Sequence, residues 1–415
     1  MANMQKNYRR VKLGCYSSNV AMSVVGNLSP VLFITFHNLY GVSYSLLGLL
    51  VVINFVTQLS IDLIFSFFSH KFNIPRVVKS MPVIVIVGLL VYALFPLFVP
   101  THAYVGLALG TVIFAAASGL NEVLISPVIA AIPSENPERE MSKLHSIYAW
   151  GVVGVIVFAT LFLLLFKNES WWILALVFIA IPLVSAFAFW GAELPPMQTQ
   201  ERISGALKFF KRKELWLAVF GIFLGGAAEC TMAQWASGYL EQALGIDKVW
   251  GDIFGVAMFA AFLGLGRTLY AKYGKHIEKI LLLGTIGAAA CYVVAATTGI
   301  AVIGLIACGF TGFCVSMLWP GSLVAATDRI PDGGVFLYAI MAAGGDSGAA
   351  LVPQLVGLIT DGVAANPAAL TMAQSLGLTV EQLGMKAGLL TGALFPLLGI
   401  VVFAIILRNK KKASK

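Results

Sequence analysis

The chain has 415 residues, of which 59% are hydrophobic and only 11% charged, with a mean hydropathy of +0.90 and a formal net charge of +8. A soluble domain carries roughly 25% charged residues, so this composition excludes an ordinary globular protein and points to a polytopic membrane protein. The positive charge would suit a nucleic-acid binder, but the placement of the basic residues accounts for it without one.

Apolar runs of about 20 residues, enough to cross a hydrocarbon core of about 30 Å as a helix, recur along the whole chain. Twelve spans are predicted, at 13–37, 43–69, 77–100, 103–132, 141–167, 171–193, 214–241, 249–273, 278–298, 300–328, 334–361 and 385–407. The basic start imitates a signal peptide, but its apolar run is too long and lacks a small-residue cleavage site, so it is read as the first span. With the N-terminus in the cytoplasm, the inside segments hold 23 of the 27 Lys and Arg residues; only Lys167, Lys248 and Lys386 fall outside, and Arg267 lies within a span. That asymmetry predicts both termini cytoplasmic; the membrane expected is a plasma membrane of the bacterial inner-membrane type. Cys15, Cys230, Cys291, Cys308 and Cys314 all fall in spans without metal-type spacing. They are predicted to be packing residues, with no disulfide framework and no zinc site, and no cofactor is expected.

An ionisable side chain deep in a bilayer costs several kcal/mol and is retained only beside a water-filled path or a partner. Asp62, Glu122, Glu229, Arg267 and Asp346 are therefore where the chemistry is sought. In chain order, Asn27 lies in the first span, and Asn54, Gln58 and Asp62 follow at i, i+4, i+8 on one stripe of the second. The stripe lines a path or bonds a neighbouring helix. Asp62, nearer the cytoplasmic end, is expected to gate or to bridge helices. Asn121 and Glu122 lie in the fourth span, with Glu122 about ten residues, roughly 15 Å, from its cytoplasmic end. Its protonation there would depend on which face admits water, which makes it the candidate proton carrier; the other reading is a permanently protonated carboxyl bonded to a neighbouring helix.

In the fifth span His145 is a proton relay, a partner for a solute hydroxyl, or a satisfied helix-end residue, and Trp150 follows it. The seventh carries Glu229, Gln234 and Trp235; a Trp can stack on a sugar ring or merely pack between helices. Arg267 is about six residues from the inside end of the eighth span, within snorkelling reach of the interface, and reads as structural or gating. If it pointed inward, an anionic solute would become attractive. Trp319 precedes Pro320 and either faces a cavity or marks a kink. Asp346 sits inside Gly344-Gly345-Asp346-Ser347-Gly348, which permits close helix contact or local unwinding.

The polar stretch beginning at Leu194 with Pro195-Pro196 separates six spans from six, dividing the chain into 1–193, a linker 194–213, and 214–415. Two correspondences relate the halves. Lys71-Phe72-Asn73 with Arg76 matches Lys272-Tyr273-Gly274 with Lys275, and Gly119 precedes Pro127 by eight just as Gly312 precedes Pro320. Two related six-helix bundles with a solute site near the midplane are the expected result.

Over its whole length this layout resembles the major facilitator superfamily, and within it the fucose-permease-like branch of sugar–proton symporters. The resemblance rests on Glu122 with Pro127, on Glu229 with Trp235 and Tyr239, and on His145 with Gly151, where that branch more often has Gln in place of His. Two places depart from it. His70 and Asn73 stand where the superfamily loop usually has an acid and a glycine, and Ser29 before Pro30 stands where the branch can carry an acid.

Residues and resemblance together predict an all-α membrane protein of twelve transmembrane helices in two pseudo-symmetric six-helix bundles, the major facilitator fold. The expected activity is alternating-access transport of a small polar, sugar-like solute with a proton. Glu122, Glu229 and Asp346 are the proton-coupling candidates; Asn27, Asn54, Gln58, Asn121, His145, Trp150, Gln234, Trp235 and Trp319 are the solute-binding candidates. The partners expected are the solute, protons and lipid, not nucleic acid, and each chain would carry its own path as a monomer. An enzyme is not expected, because no phosphate-cradling loop, metal cluster or nucleophile motif is present. An exporter or exchanger of organic anions or amphiphilic compounds is the main rival, citing Arg267 and the 28 Phe residues. A membrane sensor would need a signalling domain that these residues do not include.

Overall fold

The computed structural model describes residues 2–42, 44–197, 207–246 and 250–413, so Arg202, Lys248 and much of the 194–213 linker lie outside the described residues. Among the described residues no strand occurs. The chain divides into two compact units, Met1–Lys211 with Pro331–Ala343, and Arg212–Ile330 with Gly344–Lys415.

In the first unit, α1 (Ala2–Val31) stops one residue after Pro30, and the Leu32 N–H bonds back to Leu28 and Ser29 before α2 (Phe33–Tyr40) carries the span on. Proline lacks the N–H that an uninterrupted helix needs. Next come α3 (Tyr44–Phe68), α4 (Ile74–Phe98), α5 (Ala103–Ala131) and α6 (Pro137–Phe166). Asn73 caps α4 by accepting from the Arg76 N–H at 3.1 Å. The sixth span is broken at Ile179 into α7 (Trp171–Phe178) and α8 (Ala180–Phe189), with Pro182 just beyond the break. Buried aromatics lock these helices together. Phe36 meets Trp171 edge-on at 4.9 Å between ring centres, and Tyr92 meets Phe114 at 5.5 Å, geometries that favour aromatic pairs.

In the second unit, α9 (Lys213–Leu244) ends at Gly245, whose φ of 66° is the left-handed cap that glycine adopts without strain. A π-helical turn, Gly251–Ala257, leads into α10 (Met258–Tyr273). Then follow α11 (Ile277–Thr297), α12 (Ala301–Val315), α13 (Leu318–Arg329), α14 (Gly334–Ala364), of which the residues up to Ala343 belong to the first unit, α15 (Pro367–Ser375) and α16 (Val380–Ala413). Lys386 of α16 donates to the carbonyls of Ala296 and Thr298, which the end of α11 leaves without helical partners.

Eleven helices among the described residues are long and apolar enough to cross a membrane. The first predicted span falls below that measure because Ser17, Ser18, Asn19, Ser23 and Asn27 interleave its apolar residues. Leu164 and Leu165 of α6 and Phe187 of α8 are about 70% or more exposed. Apolar surface on this scale belongs against lipid.

Run length located the spans well: 43–69 is α3, Tyr44–Phe68, and 103–132 is α5, Ala103–Ala131. The breaks at Leu32 and Ile179, the π-turn and the short helix α15 were not predicted. The Gly344–Gly348 run does not unwind, since α14 passes through it as continuous helix. The glycines serve close contact instead. A Cβ on Gly348 would collide with the Phe223 carbonyl oxygen of α9, and one on Gly226 would lie 2.5 Å from the Gly345 carbonyl oxygen. Gly348→Ala should therefore force α9 and α14 apart at a cost of about 1–3 kcal/mol. A thermal-unfolding scan in detergent should show a clearly lowered midpoint; an unchanged midpoint would contradict this packing.

Candidate functional site

The tenth predicted span is interrupted between α12 and α13 at Ser316 and Met317. Pro320 is the cause. In an unbroken helix its N–H would serve the Ser316 carbonyl, and proline has none to give. Arg267 of α10 supplies the missing donor: its Nε bonds to the Ser316 carbonyl oxygen at 2.8 Å. The neighbouring Gly266 has no side chain to hold the two helices apart, since a Cβ there would lie 2.7 Å from Ser316 Cβ.

The same guanidinium holds Glu229 of α9, with Nη2 donating to the two carboxylate oxygens at 3.1 and 3.0 Å. The side chains are 3% and 13% exposed, so the pair is screened from bulk solvent. A buried pair with its remaining hydrogen-bonding capacity engaged repays part of the desolvation cost that an isolated charge would leave standing. Arg267 thus does not snorkel to an interface as its place near the span end suggested. It points inward, is neutralised by Glu229, and ties α9 and α10 to the break.

Other predicted residues of this unit surround the crossing of α9 and α14. The Trp319 ring packs where a Cβ on Gly226 would come within 3.0 Å of it. Asp346, the next residue after Gly345, is buried. Trp235 donates its indole N–H to the Pro353 carbonyl at 3.0 Å, and its ring faces Gly357. Gln234 is exposed. Tyr239 is buried and donates to the Ala295 carbonyl, and Tyr292 donates to Ala228 at 2.7 Å.

In the first unit a chain of amides joins three helices. Asn121 of α5 donates to Asn19 Oδ1 of α1 at 2.8 Å, and Asn19 donates to the Leu144 carbonyl of α6 at 3.0 Å. Ser23 donates to the Tyr148 carbonyl at 2.8 Å, and Asn27 bonds back to Ser23 within α1. Asn121 is therefore turned into the bundle, whereas Glu122 beside it is only half-buried. Asn121 Oδ1 and Ser18 Oγ have no partner among the described residues, and both residues line a void of about 10 Å³ with Ser118 and Ser185, room for about one water molecule. Asn19, Ser18 and the Ser316 carbonyl were not among the predicted residues; the serine- and asparagine-rich first span was the available signal for the first two.

On α3, Gln58 and Asp62 are buried and Asn54 is half-buried, with Asn54 Oδ1 unpartnered among the described residues. Their helix packs closely on α5, where a Cβ on Gly119 would lie 3.1 Å from the Gln58 backbone. His145 Nε2 and Ser126 Oγ are 3.5 Å apart, at the edge of hydrogen-bond distance, and Trp150 is 45% exposed. Ser29, at the position where the resembled branch can carry an acid, hydrogen-bonds with the buried Tyr92 hydroxyl at 2.8 Å.

Eleven helices of membrane-crossing length among the described residues, with Arg267 and Glu229 paired in the interior, mark a multi-pass membrane protein, and the family it matches is one of transporters, not enzymes. The chain belongs to the Major Facilitator Superfamily, whose sequence profile matches residues 15–353. No curated protein matches it in sequence. Solved structures share its fold. The E. coli fucose:proton symporter FucP is 17% identical with a TM-score of 0.69, covering 95% of this chain and 98% of its own. The proton:xylose symporter XylE, bound to 6-bromo-6-deoxy-D-glucose, is 12% identical with a TM-score of 0.72, covering 96% and 95%. A bacterial homologue of the iron transporter ferroportin, outward-facing with soaked iron, is 13% identical with a TM-score of 0.71, covering 96% and 98%.

Proposed function

We propose that this transporter imports a small neutral polar solute, a sugar, together with a proton by alternating access. Residues 1–193 and 214–415 act as its two six-helix halves, joined by 194–213. It works as a monomer in a plasma membrane of the bacterial inner-membrane type, with both termini cytoplasmic. Glu122 is the proton carrier. The observation that carries this reading is its half-buried position on a helix whose other core residues, Asn121 included, face inward. Access of water to such a carboxyl changes its protonation, which is what coupling requires. Asp346 is the second acid in the path, and Glu229 takes part only by parting from Arg267. Among the residues not wholly enclosed, Asn27, His145, Trp150 and Gln234 are the first candidates to meet the solute.

Two of the similar structures are symporters of fucose and xylose with protons, which supports the reading, while the ferroportin homologue is a reminder that this fold carries unlike solutes. Against export of organic anions stands the Glu229–Arg267 pair: the cation that would attract an anion is already neutralised. In proteoliposomes under an imposed inward proton gradient, labelled neutral sugars should accumulate and organic acids should not. Accumulation of organic acids alone, or efflux of a hydrophobic dye, would favour the rival.

A further inference from the structure

Of the five cysteines, two face each other across a helix–helix contact. Cys314, at the end of α12, lies against the face of α11 that carries Cys291, whose side chain leans back toward the turn of Gly287. The helix surfaces explain the meeting. A Cβ on Gly284 would collide with the Cys314 carbonyl oxygen, and one on Gly287 would lie 2.7 Å from Cys314 Sγ. Gly287 and Cys291 are four residues apart and share one face of α11. The Cys314 sulfur therefore rests on bare backbone, with the Cys291 sulfur one turn further along. Both cysteines are free, Cys314 is buried, and Cys291 is half-buried. Packing alone asks only for volume and does not require two thiols to converge.

We infer that Cys291 and Cys314 form a dithiol site that captures one soft, thiophilic species of the trivalent organoarsenical class, clasping α11 to α12 two residues before the break at Ser316. Paired sulfur ligands select soft partners, and a dithiol that already converges needs little rearrangement to hold one. With an arsenoxide, R–As=O, both S–H bonds break and two As–S bonds form. The arsenic oxygen leaves as water with the two thiol protons. Arsenic stays trivalent, so no oxidant or reductant takes part.

The test uses the full chain in detergent micelles, treated with phenylarsine oxide, freed of excess reagent, unfolded, and labelled with N-ethylmaleimide. Intact mass should show one phenylarsenic adduct per chain and two fewer maleimide-reactive thiols. Excess 2,3-dimercaptopropanol should reverse it, and an excess of monothiol should not. Proteolysis of the treated wild-type protein should give a peptide pair joined through Cys291 and Cys314, a readout that depends on no variant. C291S and C314S, each checked as monodisperse by size exclusion, should lose the adduct. Absence of an adduct, one released by monothiol, or one retained in either variant would overturn the proposal.

Discussion

Glu122→Gln should leave exchange of labelled for unlabelled solute across a proteoliposome membrane intact while abolishing uphill accumulation. With one proton per solute, an inward gradient of one pH unit supplies about 1.4 kcal/mol and so supports accumulation of about tenfold. The glutamine variant keeps the shape and hydrogen-bonding capacity of the protonated acid but cannot release a proton. Its accumulation ratio should therefore fall to about one at any gradient, with exchange within a few-fold of wild type. The two measurements must be made on the same vesicles, because loss of both would mean only that the protein had failed. Undiminished accumulation would remove Glu122 from the coupling mechanism.

Arg267→Met should be among the most damaging single substitutions in the second unit. Removing one partner of a buried ion pair leaves an uncompensated charge and typically costs roughly 3–5 kcal/mol. Here the Ser316 carbonyl also loses the donor that stands in for the N–H missing at Pro320. The expected loss lies toward the lower end of that range, because Glu229 can take up a proton once its partner is gone. Arg267→Lys should rescue little: an ammonium cannot reproduce the planar fork that reaches Glu229 and Ser316 together. The double variant E229Q/R267M removes both charges and should unfold at a higher temperature than R267M alone. In thermal scans of the wild type, E229Q, R267M and E229Q/R267M, a strictly additive cycle would show that Glu229 and Arg267 do not act as a pair.

Composition and run length made the fold legible, because a membrane-spanning helix must be long and predominantly apolar. The same criterion is blind to interruptions that leave hydropathy unchanged. Pro30 and Pro182 sit in apolar runs, and the breaks near them change no average. Pro320 was recognisable as a kink, but its consequence was not: the orphaned Ser316 carbonyl is met by an arginine 49 residues earlier in the chain. Distance from a span end could not tell whether Arg267 turns to the interface or inward, since that depends on where Glu229 lies on α9. Asn121 and Glu122 show the limit most plainly. They are adjacent polar residues of one helix, and only the fold turns the first toward Asn19 and leaves the second half-buried. Helix α15 carried a readable start signal, Asn366 before Pro367, with the Asn366 side chain accepting from the Ala368 N–H at 3.0 Å. At nine residues it was too short to register as an apolar run.

The most direct measurement follows the lumen pH of proteoliposomes loaded with a trapped fluorescent pH indicator, with no gradient imposed and the transported sugar added outside. Entry of the sugar should acidify the lumen in wild-type vesicles and leave it unchanged in Glu122→Gln vesicles that still exchange sugar. Sugar uptake by the wild type with a constant lumen pH would contradict proton coupling, and with it the role assigned to Glu122.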